Sequence, residues 1–390
     1  MAIDKTTGDH QRLRVFVHLA RAFGRTAWKQ RWEKGEIVGI NHDDPYGYRQ
    51  AEQMGCIVEQ SEDIPEGPIK RLLRLGVRVL LGFDFVHAWS NRKGILAADV
   101  VWTHTESQAL AVLMLMRLYN SPGHRPAVIA QTIWVMDLWE TYSALRRSIY
   151  CGLLRHADTL TFHSLSATDK AKKLFPATPI ELVKYGIRAD QPLETIERPT
   201  HLPIHILSMG TDRHRDWPTL IQAVQNHARY EAKVATRAKI DDLLALAKNV
   251  ARVRATNNDQ LMELMQWADL VVVPLVDNLH ASGITVIEEA VLCGIPVIAT
   301  DAGGLRSYFS ADEITYVPVN DSQALRFAID HLMADDDLRQ GKARRALERM
   351  KCGDLNSRSF VARHVEISNS ILQSREAEHS SERLAVLTGR

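Results

Sequence analysis

The 390-residue sequence predicts an α/β fold of two doubly wound units. Three observations carry that expectation. Short apolar, β-branched runs alternate with helical patterns along most of the chain, as parallel sheets covered on both faces require. The length exceeds what one ordinary core fills, so two domains of about 150–200 residues are expected. A stretch without either period, "GIRADQPLETIERPTHLP" (186–203), separates an earlier from a later series of runs.

The earlier series reads "RVFVHLA" (14–20), "DFVHAW" (84–89), "DVVWTH" (99–104), "PAVIAQTIW" (126–134) and "DTLTFHS" (158–164). The later one reads "IHILSMG" (204–210), "AKVAT" (232–236), "ARVRAT" (251–256), "DLVVVPL" (269–275), "IPVIAT" (295–300) and "ITYVPV" (314–319). Each run is expected to be a strand, with helices in the gaps. The boundary is placed near Pro199, giving an N-terminal domain of 1–198 and a C-terminal domain of 199–356. A helix at about 357–375 is expected to rejoin the first domain, and the polar stretch 376–390 reads as a mobile tail.

Composition excludes several classes. With 48 basic against 47 acidic side chains the formal charge is +1, so nothing global points to nucleic acid. Cys56, Cys151, Cys293 and Cys352 lie far apart, without the spacing of a zinc site or a disulfide framework, which suits a reducing cytosol. The start lacks an apolar signal core, and no uninterrupted apolar run reaches the roughly 18 residues of a membrane span. Any membrane contact would be peripheral.

The chemistry is concentrated in "ASGITVIEEAVLCGIPVIATDAGG" (281–304). A helix is expected to start at Gly283, where free backbone N–H groups and the helix dipole attract an anion and a glycine lets it approach. That geometry suits a diphosphate. Glu288 and Glu289 lie a turn or more inside this helix, about 100° apart, so one should face the cleft and the other solvent or a neighbouring helix. A ribose or sugar hydroxyl would suit the inward one.

"EEAVLCGIPVIATDAGG" resembles the donor-site signature of family-four glycosyltransferases of the GT-B fold. The resemblance implies two Rossmann-like domains facing across a cleft, a nucleotide-diphospho-sugar donor and Glu289 on the nucleotide ribose. The family's first glutamate, eight positions earlier, is replaced by Ala281, and "SGIT" (282–285) resembles a variant of the segment before the helix. "ELVKYGIR" (181–188), "LSMGTDRHRDWPTLIQAV" (207–224) and "LMELMQWADLVVVPL" (261–275) match further family segments in order. Gly210, Ser282, Gly283, Ile284 and Thr285 are the implied donor contacts. Arg213 and Arg215, expected on one side of an extended loop, offer cations for a leaving diphosphate, with Arg215 nearest the family's lysine. The resemblance implies no metal and no cofactor, and usually retention of configuration.

In the first half, "DVVWTHTES" (99–107) resembles the strand end from which such enzymes place a histidine beside the transferred sugar. His104 is the candidate, with Trp102 in place of an earlier histidine, and His87 in "DFVHAW" is its rival. Gly24 is the candidate for close approach of donor or acceptor. The expected catalytic set is thus His104, Arg215 and Glu289.

"PIKRLLRLGVRVLLGF" (68–83) is amphipathic as a helix. Lys70, Arg71, Arg74 and Arg78 share a sector of about 100°, a basic face beside an apolar one that suits anionic lipid. The alternative is a helix with its apolar side on the sheet and its charges in water. The resemblance implies a glycosyltransferase at the cytoplasmic face of a bacterial membrane, acting on a saccharide or lipid-linked acceptor in exopolysaccharide or glycolipid synthesis. A non-catalytic nucleotide-sugar-binding subunit and a GT-B epimerase or phosphorylase are the alternatives.

Overall fold

The computed structural model of the chain describes residues 12–119, 125–190 and 201–388. Six parallel strands form the first sheet: β1 (Arg14–His18), β2 (Ile57–Gln60), β3 (Val100–Thr103), β4 (Ala127–Gln131), β5 (Thr159–Phe162) and β6 (Ile180–Leu182). They lie in the order β2-β1-β3-β4-β5-β6. Six more form the second: β7 (Ile204–Met209), β8 (Tyr230–Ala235), β9 (Val250–Val253), β10 (Leu270–Val273), β11 (Val297–Thr300) and β12 (Thr315–Val317), ordered β12-β11-β10-β7-β8-β9. The α/β expectation of two doubly wound sheets holds.

Central strands β3, β4, β5, β10 and β11 are buried along their whole length, which is why they read as continuous apolar runs. The edge strand β2 alternates instead, with Ile57 exposed and Val58 buried, and the three-residue β6 has little to announce it; neither stood out in the sequence. "DFVHAW" is not a strand. Asp84 caps a helix over Phe85–Ser90, its carboxylate accepting from the His87 N–H at 3.1 Å, and this local cap overrides the β-like composition.

Each sheet reverses its strand order once, between β1 and β3 in the first and between β7 and β10 in the second. Crevices at the carboxyl ends of strands flanking such a reversal are where open α/β sheets hold ligands. His18 and His104 end or follow β1 and β3; Gly210 and the loop 274–283 follow β7 and β10.

The last helix, Ser357–Thr388, packs Phe360, Val361 and Val365 against Val15, Val17 and Trp102 of the first sheet. The Trp102 indole N–H donates to Ser368 Oγ at 2.9 Å. The helix continues through 376–388, the stretch read from the sequence as a tail. The proposed boundary at Pro199 lies outside the described residues. None of the described helices is long and apolar enough to cross a membrane.

The amphipathic helix forms at Pro68–Leu81, but its apolar side is not laid on the sheet and its basic face is incomplete. Arg74 turns inward, 8% exposed, with Nε at 2.8 Å from Glu66 and Nη1 at 2.7 Å from Asp84. The basic face therefore loses its central member. Ile69, Leu72, Leu73, Val79 and Leu80 face outward, each more than 60% exposed. Two carboxylates from remote segments fix the roll of this helix, because pairing outweighs the cost of burying the guanidinium only with both in place.

Candidate functional site

The second sheet's reversal builds a cationic seat. Gly210 ends β7 with a φ of 133°, and a β-carbon there would lie 2.4 Å from Arg215 Nε, so the loop closes over the guanidinium only because this residue has none. Arg215 Nε donates to the Met209 carbonyl at 3.0 Å and Nη1 to Ser282 Oγ at 2.9 Å. Gly283, with a φ of 85°, is the residue preceding the helix Ile284–Leu292, and a β-carbon on it would meet Val273 at 2.5 Å and Arg215 Nη1 at 3.0 Å. A buried guanidinium thus stands against the positive end of a helix. Burial lowers the Arg215 pKa to about 10, partly offset by Asp212, and the group stays charged at neutral pH.

Four of the expected donor residues, Gly210, Arg215, Ser282 and Gly283, are gathered there. Ile284 is buried and Thr285 exposed in the helix's first turn. Arg213 is not part of the group: a turn at 213–214 sends it to solvent while Arg215 is buried, so the two do not share a side. Ala281 is left-handed, with a φ of 55°, and 2% exposed.

Carboxylates reach the same loop from elsewhere, and these the sequence reading missed. Asp137, from the first domain, lies 2.8 Å from His280 Nδ1; Asp212 Oδ2 lies 2.9 Å from His280 Nε2. Asp212 Oδ1 accepts from His214 N at 3.0 Å and lies 3.1 Å from His214 Nδ1, while its Oδ2 accepts from Ser282 Oγ at 2.8 Å. Asp137 is set by a short helix, Val135–Leu138, and the approach to it is pinned by Glu106 Oε2, which accepts from the N–H groups of Ile133 and Trp134. Burial alone would lower the His280 pKa; the two carboxylates outweigh it and raise the pKa to about 9. Asp212 is held well below the usual carboxylate range: burial opposes this, and the hydrogen bonds from His280, His214 and Ser282 prevail. The signals were Asp212 and His214 in alternation, and a histidine in the loop "DNLHAS"; the partner Asp137 is far away in sequence.

The same loop fastens the domains together. The Leu279 N–H donates to Asp137 Oδ1 at 2.7 Å, Ser164 Oγ donates to the Leu279 carbonyl, and the Leu279 side chain packs into the first domain's core.

Both helix glutamates are buried, against the expectation that one would face the cleft and the other solvent or another helix. Glu289 Oε1 accepts from the Ile40 N–H at 3.2 Å, from a first-domain loop whose Gly39 N–H donates to Asn258. Burial raises its pKa to about 7 despite that hydrogen bond. Glu288 is fully buried near the backbone of Ile187, without a well-formed hydrogen bond to either oxygen; burial first, then the neighbouring Glu289, push its pKa well up. A glutamate pair reads as surface charge until the linker and a loop from the other domain close over it.

His104 follows β3 but does not sit on an open rim. Tyr46 stacks on its ring at 3.7 Å between centroids, and Tyr48 Oη lies 3.0 Å from Nδ1. Burial, then His163 and His364, depress its pKa well below the ordinary value, so the ring is neutral. Gln131 Nε2 donates to the His104 carbonyl and lies 3.0 Å from His163 Nε2, and Tyr308 Oη of the second domain donates to the His163 carbonyl. Tyr185 stands edge-on to His104 and His163. His87 stacks instead on His18, 5.2 Å between centroids, away from that aromatic group. Gly24 is required by the Ser61 carbonyl, which a β-carbon would meet at 2.4 Å.

Residues 233–349 match the family described as glycosyl transferases group 1. Over 93% of the chain the structure superposes on all of sucrose-phosphate synthase from Thermosynechococcus elongatus, at 16% identity and a TM-score of 0.71. Over 93% it also superposes on 99% of Anabaena HepE crystallised with UDP-glucose, at 13% identity and 0.61. WaaG, a glycosyltransferase involved in lipopolysaccharide biosynthesis, is matched over 98% of its length and 90% of this chain, at 16% and 0.56. No curated protein sequence matches the chain. The fold is GT-B, and the second domain carries a segment that matches the group 1 glycosyltransferase model.

Proposed function

We propose that the protein transfers a glycosyl group from a nucleoside-diphosphate sugar to a saccharide or lipid-linked acceptor, with retention of configuration. The observation that carries this reading is Arg215, buried at the start of the helix Ile284–Leu292 beside Gly283 and Ser282. A diphosphate seated there would meet a guanidinium and the first-turn N–H groups beyond Ile284, whose own N–H donates to the Ala281 carbonyl at 3.2 Å. As the glycosidic bond breaks, the leaving diphosphate gains charge, and a fixed cation lowers the barrier without requiring a metal in that role. Glu289 would take the ribose in place of the Ile40 N–H, which loosens the first-domain loop on donor entry. His104, neutral and held by Tyr46 and Tyr48, would offer its ring to the transferred sugar. Relatives of this shape support the donor class, HepE having been crystallised with UDP-glucose.

The helix Pro68–Leu81 supports a peripheral setting. Its outward Ile69, Leu72, Leu73, Val79 and Leu80, flanked by Lys70, Arg71 and Arg78, suit an anionic membrane surface and with it bacterial polysaccharide or glycolipid assembly at the inner face. The rival reading, a nucleotide-sugar-binding subunit without turnover, is favoured by the buried, carboxylate-free Ala281.

Calorimetric titration with UDP, GDP and ADP, followed by an assay of donor consumption with the preferred base, separates the two. Binding with donor cleavage supports transfer; binding without cleavage in the presence of candidate acceptors supports the subunit. No binding of any nucleoside diphosphate refutes both.

A further inference from the structure

We propose that Asp137, His214 and His280 form a site for a transition metal of the zinc class, assembled from both domains and fastening the cleft shut. One ligand atom from each lies within 4.8 Å of the other two. The arrangement around them is that of a metal site. Asp212 occupies one nitrogen of each ring, His280 Nε2 through Oδ2 and His214 Nδ1 through Oδ1. A carboxylate accepting from one imidazole nitrogen fixes ring and tautomer and leaves the other nitrogen as a lone-pair donor. Those other nitrogens, His280 Nδ1 and His214 Nε2, both face the Asp137 carboxylate, at 2.8 and 3.9 Å. Tetrahedral zinc with bonds of about 2.0–2.1 Å needs ligand atoms roughly 3.3 Å apart; His280 Nδ1 lies nearer than that to Asp137 Oδ2, and His214 Nε2 lies farther from Asp137 Oδ1.

The three side chains are 4–12% exposed, so the site is largely shielded from water. Uptake of a dication displaces the proton between His280 Nδ1 and Asp137, and the two imidazoles, one carboxylate and a water complete four-coordination. Asp137 is the sole ligand from the first domain. A bound metal therefore ties that domain to the loop 276–283 and favours the closed cleft by mass action. The second group with metal-like spacing among the described residues, His201, His205 and Asp269, is less prepared. His205 Nδ1 is engaged by the Trp267 carbonyl at 3.1 Å, and His201 is 42% exposed.

The test is titration of the metal-stripped full-length chain with Co2+, without donor, followed by calorimetry and by the visible absorption of the ion. The expected result is one tetrahedral Co2+ per chain, displaced by Zn2+. The near-isosteric Asp137→Asn and the His280→Gln variants should each weaken it a hundredfold or more while keeping a cooperative melt, and His201→Ala should change nothing. Failure of the wild-type chain to bind either ion overturns the proposal and leaves a proton-bridged carboxylate–histidine cluster. So does binding that survives His280→Gln but is lost with His201→Ala. Because no donor is present, the outcome stands apart from the fate of the glycosyltransferase reading.

Discussion

The candidate groups of the two domains form two walls built from opposite materials. On the second-domain side the candidate groups are charges set on backbone features: Arg215 over Gly210 and Gly283, with Ser282 and Asp212 within 3 Å of one another. On the first-domain side they are neutral rings in an aromatic stack, His104 between Tyr46 and Tyr48 with Tyr185 at its edge. A wall of fixed charge can stabilise a leaving group, and a wall of neutral rings can hold a sugar. On the proposed reading the donor's diphosphate would take the first side and the transferred ring the second.

The largest effect should come from the charged wall. Arg215→Ala is expected to lower turnover a hundredfold or more, about 3 kcal/mol, while weakening donor binding less, because the leaving group's charge peaks in the transition state. Single-turnover rates beside donor titrations check this. Equal losses in affinity and none in the bound-state rate would make Arg215 a plain binding group.

Glu289→Ala should weaken donor binding by about 1–3 kcal/mol, the scale of a charged hydrogen bond, with Glu288→Ala changing it little. The reverse in a calorimetric comparison would reassign the ribose contact to the fully buried carboxyl. The same residue predicts a pH effect. A carboxyl raised from the ordinary value to about 7 binds its proton more tightly in the folded chain, so its contribution to stability is largest below about 4.5 and falls as pH rises to 7. Denaturation midpoints across that window should show a decline that Glu289→Gln flattens; an unchanged slope would place the carboxyl in water.

The neutral wall should respond more mildly. His104→Ala is expected to cut turnover about tenfold, about 1.4 kcal/mol, with the free nucleoside diphosphate binding normally, and His87→Ala should do less. A dead His87→Ala enzyme beside an active His104→Ala one would move the sugar site to the His18–His87 pair and undo the comparison.

How much of this was readable follows from where each partner lies in the chain. Central strands such as β10 and β11 were legible because burial on both faces leaves an unbroken apolar run, and Arg215 and Gly283 because they stand in contiguous stretches with a recognisable order. Arg74 was not, since its direction is decided by Glu66 and Asp84 together. Glu288 read as half of a surface pair, and only the linker at Tyr185–Ile187 makes it interior. Asp137 and His280 stand 143 positions apart, and no local pattern announces a contact made when two domains meet.

The smallest effect on the folded chain should come from the outward helix. Leu72→Glu with Leu80→Glu should shift stability by no more than about 0.5 kcal/mol, since both residues already face solvent, yet abolish sedimentation with anionic vesicles. Undiminished sedimentation would exclude that face as the membrane contact.

The seat at the start of the helix Ile284–Leu292 is tested most directly by a crystal structure with the preferred nucleoside diphosphate. The diphosphate is expected against Arg215, Ser282 and the helix N–H groups beyond Ile284, with the ribose hydroxyls on Glu289 and the Ile40 N–H displaced. A diphosphate bound away from Arg215, with the Ile40–Glu289 hydrogen bond intact, would contradict it.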